Sequence, residues 1–233
     1  MKIEYFIETS QVASLRNAIS EALDAGAGYP TIVMGYGDPG MGKTWAARKL
    51  YVEFGGYYLR IMGGTSQFTF LQDLCYEITG TRPRSSALCT RAIVKKLEDE
   101  PAPIFADEID NAVIGRMEDL RYITDVTGAP VIFIGESALP TKVAARDRIN
   151  DRIPETFRVN FSGINRKDIM LYAQKACEIS LTPEAGGVVY DKTNKGIFRR
   201  VDNAIKALKN AAKAAGTTEV SAEMARQILK AKG

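Results

Sequence analysis

The octet Gly37-Asp38-Pro39-Gly40-Met41-Gly42-Lys43-Thr44 has the spacing G-x-x-x-x-G-K-T. Glycines at such positions let backbone N–H groups turn inward around a chain of phosphates. A helix starting at the lysine would aim its positive end at the same oxygens. Lys43 would neutralise the terminal phosphates, and the Thr44 hydroxyl is suited to ligate Mg²⁺. Trp45 follows at once; it reads as packing beside a sheet and is counted with the loop as a possible nucleotide contact. A second run, Pro103-Ile104-Phe105-Ala106-Asp107-Glu108, is apolar up to two consecutive acids. An apolar strand would deliver them where open α/β sheets bind ligands. Asp107 would hold the metal shell, and Glu108 would polarise an attacking water. Together the two motifs predict ATP with Mg²⁺, and the tandem acids argue against a small-molecule kinase. Asp110 reads as a cap or loop residue.

The elements needed to position these groups are legible in the pattern. Helical spacing of Val12, Leu15, Ile19, Ala22 and Leu23 predicts a helix over residues 11–25, ended by Gly26, Gly28 and Pro30. Strands are expected at 31–37, 57–62, 104–106, 131–134 and 157–161. Helices are expected at 43–54, 68–78, 86–99, 113–126 and 139–146. From Gly163 onward the pattern turns helical: 166–179, 183–190, 196–214 and 222–230. Alternating short apolar strands and helices imply an α/β fold, a central parallel five-stranded sheet covered on both faces, with a small C-terminal helical lid. The expected division is a nucleotide-binding core at 1–163 and a lid at 164–233.

Composition narrows the chemistry. The 233 residues include no histidine, which removes Ser-His and Cys-His nucleophile pairs and His-bound zinc. Three scattered cysteines, Cys75, Cys89 and Cys177, read as reduced buried thiols. No run suits a membrane span or a secretory signal, so no membrane partner and a cytoplasmic location are expected. The net charge of +3 is uneven: residues 164–233 hold 13 Lys/Arg against 7 Asp/Glu. That balance suits either an anionic partner or a solvated helical surface.

The order of the Lys43 loop, one intervening strand, the Asp107–Glu108 strand, a further strand and a helical appendix resembles the AAA+ superfamily of P-loop ATPases. The resemblance implies an arginine before the fifth strand that reaches a neighbour's γ-phosphate; Arg152 matches best and Arg148 second. Gly196-Ile197-Phe198-Arg199-Arg200-Val201 resembles the start of the sensor-2 helix, which implies that Arg199, or else Arg200, senses the γ-phosphate within the chain. After the fourth strand, where relatives place a polar sensor, either Glu136 or Ser137 could serve.

Within the superfamily, FIETSQVASLRNAISEAL ahead of VMGYGDPGMGKTWAARKLY, and VIFIGESALPTKVAARDRINDRIPETFRVNF, resemble the Mu B family of transposable phages. More broadly they resemble transposon regulators and helicase loaders. The chain reads as lacking that family's extra N-terminal helix-turn-helix region. The resemblance implies a DNA-binding ATPase of a bacterial host's cytoplasm that self-associates on double-stranded DNA as a helical filament or ring and activates a transposase. A helicase loader and a nucleotide-gated interaction module with little turnover are the alternatives. Candidate DNA contacts are the loop with Thr65, Ser66 and Gln67, the stripe Arg199, Lys206, Lys209 and Lys213, and the cluster Arg82, Arg84, Arg91, Lys95 and Lys96. An ordinary turn or a solvated basic face is the plainer reading of each.

Overall fold

The computed structural model describes residues 7–25, 29 and 32–230. The glycines and proline expected to end the first helix, the start of the first strand at residue 31 and the N-terminal hexapeptide lie outside them.

Five parallel strands form the central sheet: β1 (Ile32–Tyr36), β2 (Tyr57–Arg60), β3 (Ile104–Asp107), β4 (Val131–Gly135) and β5 (Arg158–Asn160), in the order β2-β3-β4-β1-β5. β3 and β4 are buried along their whole length, which is why they read as unbroken apolar runs. α1 (Ser10–Ala25) precedes the strands, and between them lie α2 (Lys43–Phe54), α3 (Gln67–Thr79), α4 (Ser86–Asp99), α5 (Ile114–Thr127), α6 (Leu139–Ala144) and α7 (Asp147–Asn150). α1 buries Val12, Leu15, Ile19 and Ala22, the stripe its periodicity foretold. Ser66 and Ser85 cap α3 and α4 by accepting from Thr69 N and Leu88 N.

The chain divides into two compact units. One gathers Gln11–Asp38 and Lys43–Phe161. The other takes in residues 162–230 together with 7–10 and 39–42. The second holds α8 (Arg166–Cys177), α9 (Pro183–Lys192), α10 (Phe198–Ala214) and α11 (Ala222–Lys230), around a core that includes Ile169, Tyr172, Val189, Val201, Ile205 and Leu208.

Three features depart from expectation. α8 stops at Cys177 because Glu178 takes a left-handed conformation with φ 57°. Ser180–Leu181 then pairs in parallel with Glu219–Val220, a two-stranded sheet too short to show any periodicity. Phe157, expected in β5, lies in a 3₁₀ turn (Glu155–Phe157) instead, and the short helix α7 precedes it.

Candidate nucleotide site

β1 and β3 flank β4 in parallel, so the loop after β1 and the acids ending β3 emerge close together at the C-terminal ends of the strands. The Thr44 hydroxyl donates to Asp107 Oδ1 at 3.3 Å, joining the two motifs. Asp107 is 1 % exposed, and three donors satisfy it. Besides Thr44, its own neighbour's amide, Glu108 N, reaches Oδ1 at 3.1 Å, and the Tyr58 hydroxyl reaches Oδ2 at 2.7 Å. Burial, then the bond to Asp107, pushes the Tyr58 phenol well above its ordinary value. Arg48 stands over the Tyr58 ring at 6.0 Å.

The loop requires its first glycine. Gly37 has φ +152°, and a Cβ there would lie 2.2 Å from the Phe161 carbonyl oxygen. Lys43 Nζ donates to the carbonyls of Gly37 and Asp38 at 2.6 and 2.9 Å, closing the loop with its own side chain. Burial lowers the Lys43 ammonium below its ordinary range, while Glu136, Asp110, Asp107 and Asp38 pull it back up.

The middle of the loop makes its own contact within the second unit. α10 has no side-chain cap at its N-terminus. The Arg199 backbone N–H instead donates to the Gly40 carbonyl at 3.0 Å, giving one of the helix's orphan donors a partner. A Cβ on Gly40 would lie 3.2 Å from Arg199 Cβ and 3.3 Å from Ile197 Cγ2. Arg199, the sensor-2 candidate, is thus backbone-bonded to the loop itself, and its side chain is exposed.

Glu108 sits in a left-handed conformation, φ 58° and ψ 36°, at the start of a 3₁₀ turn (Ile109–Asn111). Its carboxylate is gripped by Arg60 at 2.7 and 3.1 Å, which holds it below the usual carboxylate range. Neither Arg60 nor Tyr58 belongs to a motif that marks it out in the sequence. Their spacing, two apart on a strand and therefore on one face, was the available signal.

The remaining expected residues fall as follows. Trp45, expected to pack beside the sheet, is 49 % exposed. Asp38 and Pro39 are exposed; Met41 and Gly42 are partly buried. Arg152 is engaged by Asp125 of its own chain at 3.0 and 3.2 Å. Arg148 is exposed, and among the described residues it makes no ion pair or side-chain hydrogen bond. Thr65 bonds the Met62 carbonyl at 3.2 Å, and its own carbonyl accepts from Arg116. Ser66 is occupied as a cap, and Gln67 donates to both oxygens of Asp119 at 2.9 and 3.0 Å. Lys206 pairs with Asp202 at 2.7 Å, and Lys209 lies 3.9 Å from Glu178. Lys213 is exposed.

The donor set suits a small hard cation. One hydroxyl and one carboxylate lie within 3.3 Å of each other, and Mg²⁺ completes such a shell with phosphate oxygens and water. Among the described residues no group of three or more His, Cys, Asp or Glu could cage a metal unaided.

A glycine loop leading into a helix, with two acids ending the strand beyond β4, defines a P-loop nucleotide-binding fold of the 5-1-4-3-2 sheet type. The AAA domain family matches residues 27–143, and the chain belongs to it: it is an AAA-type P-loop ATPase domain. No curated protein sequence matches the chain. Among solved structures it is similar to the ORC2 protein of Aeropyrum pernix in its ADPNP and ADP complexes. That match has TM-score 0.65 and 17% identity over 99% of this chain and 70% of that one. The RuvB Holliday junction branch migration motor of Thermotoga maritima matches with TM-score 0.62 and 12% identity, over 99% and 71%. Domain III of the Thermotoga maritima replication initiation protein DnaA matches with TM-score 0.57 and 20% identity, over 98% and 94%. No described helix is long and apolar enough to cross a membrane.

Proposed function

We propose that the chain is a Mg²⁺-dependent ATPase that assembles on double-stranded DNA in its ATP form and activates a transposase. The observation that carries the nucleotide part is the Thr44–Asp107 bond, which sets a hydroxyl and a carboxylate beside the Lys43 ammonium. Lys43 holds the terminal phosphates, and Thr44 and Asp107 hold the metal, which when bound offsets charge on the phosphate oxygens. Glu108, once clear of Arg60, orients the water and takes its proton. Arg199 reads the terminal phosphate from beside Gly40. Arg152 or Arg148 completes a neighbour's site, a head-to-tail contact that yields a ring or an open filament.

The DNA part is supported by the positive balance of residues 164–233 and by the fold shared with a branch migration motor and a replication initiation protein. The candidate contacts are Thr65, Ser66 and Gln67, and Lys206, Lys209 and Lys213. The transposase rests on the resemblance to the Mu B family. The similarity to DnaA domain III favours one second reading, a helicase loader.

Fluorescence anisotropy of a labelled duplex, with ATP, ADP or no nucleotide and across a salt series, tests the assembly. Binding should need ATP with Mg²⁺ and weaken steeply with salt, as counterion release requires. Nucleotide-independent or salt-insensitive binding would defeat the reading. Stimulation of strand transfer by a transposase, against loading of a replicative helicase, separates the two clients.

A further inference from the structure

The 3₁₀ turn after Glu108 is held from outside. Lys142, on α6, points its ammonium at two backbone carbonyls of this turn, those of Asp110 (2.7 Å) and Ala112. The turn's own bonds, Asn111 N to Glu108 O and Ala112 N to Ile109 O, leave these two oxygens for the lysine. Asp110 makes a second tie: its Oδ1 accepts from Glu136 N at 3.1 Å. The approach is so close that a Cβ on Gly135 would lie 2.5 Å from Asp110 Oδ1. Leu139 N, at the start of α6, donates to Glu136 O, which links the helix to the residue that Asp110 binds. The result is a closed circuit from the β3 turn to the end of β4, through α6, and back to the turn by the lysine.

We propose that Lys142 and Asp110 are positioning residues for Glu108. Glu108 occupies a left-handed conformation that a non-glycine residue keeps only when its surroundings impose it. The Lys142 ammonium and the Asp110–Glu136 bond fix the residues directly after it, and so fix where its carboxylate stands when Arg60 releases it. The same circuit makes the turn bearing Glu136 and Ser137 move with the turn bearing Glu108. This rests on Glu108 being the group that activates water.

The test compares Lys142→Met, Lys142→Arg and Asp110→Ala with the parent in three measurements. These are ATP affinity by calorimetry, hydrolysis at saturating ATP, and amide hydrogen exchange at Asn111, Ala112 and Glu136. Lys142→Met should leave ATP affinity within about twofold and cut kcat about 10- to 100-fold, the scale of a misplaced reacting group. Amides of the turn should exchange faster, and Lys142→Arg should restore much of both. Asp110→Ala, which removes the Glu136 tie and also a carboxylate that acts on Lys43, is judged on kcat and exchange alone: kcat should fall and the Glu136 amide exchange faster, which keeps the proposal testable if Lys142→Met folds poorly. Parent-like kcat in Lys142→Met and Asp110→Ala, or unchanged exchange in the turn, would overturn it. Equal losses in affinity and kcat in Lys142→Met would reduce the circuit to a fold support and overturn the positioning role. A parent that binds but never hydrolyses ATP would strike the reading of Glu108, while the exchange measurement still judges the circuit.

Discussion

Arg60 holds the Glu108 carboxylate by both oxygens, 2.7 and 3.1 Å from a guanidinium that is itself largely exposed. A water-activating carboxylate in that grip is a weaker base and faces the wrong partner. Arg60→Met should therefore raise basal ATP hydrolysis severalfold, whereas Glu108→Gln should lower it about 100-fold or more. Steady-state phosphate release decides. A loss in Arg60→Met as deep as that in Glu108→Gln would mean the arginine serves the reaction instead of restraining it.

The same pair has a signature in acid. Arg60 depresses the folded-state pKa of Glu108, so its contribution to stability is present above the ordinary Glu value of about 4.3. It is lost as pH falls through the lowered folded value. In urea melts from pH 7 to pH 3, Arg60→Met should lack that part of the acid loss. Parallel curves for the two proteins would refute the linkage.

Tyr58→Phe should destabilise the fold by about 1–2 kcal/mol, because a buried carboxylate loses one of its three donors. Chemical denaturation measures it. A variant as stable as the parent would show that Asp107 finds a replacement donor or that water enters.

Trp45 is the only tryptophan, half exposed and next to Thr44. Adding ATP with Mg²⁺ should shift its emission, a chelator should reverse most of the change, and Lys43→Met should abolish it. A tryptophan signal blind to nucleotide, with calorimetry showing that ATP binds, would remove Trp45 from the nucleotide contacts.

Arg152 must leave Asp125 before it can enter a neighbour's site, and Asp125 also engages Arg121. If Arg152 is the residue that crosses, Asp125→Asn should promote ATP-driven association, and Arg152→Ala should abolish it. Light scattering with ATP would report both. Association lost only in Arg148→Ala would assign the contact to the unpaired arginine instead.

The sheet and its site were legible where periodicity and glycine spacing carry the information. The Lys43 loop, the buried strand ending in Asp107 and the helices over Leu15 or Leu208 follow from residue type and spacing alone. What sequence did not disclose depends on contacts between distant segments. Tyr58 and Arg60 look like ordinary strand residues until β2 lies against β3 with Arg60 opposite Asp107. Lys142 looks like a surface lysine until α6 turns it toward two carbonyls. For Ser66 and Gln67 the sequence left a DNA contact and an ordinary turn with a helix cap both open, and the fold shows Ser66 capping α3 and Gln67 held by Asp119. The paired strands at Ser180 and Glu219 hold two residues each, too few for any alternation to register.

β2 lies at the rim of the sheet, hydrogen-bonded to β3 on one side only. Rim strands are the part of a sheet most easily loosened, and this one carries the handles of both acids, a phenol for Asp107 and a guanidinium for Glu108. If Asp107 and Glu108 have the roles proposed above, whatever grips or frays that border would reach metal binding through Tyr58 and turnover through Arg60, with the glycine loop and the lysine left chemically untouched.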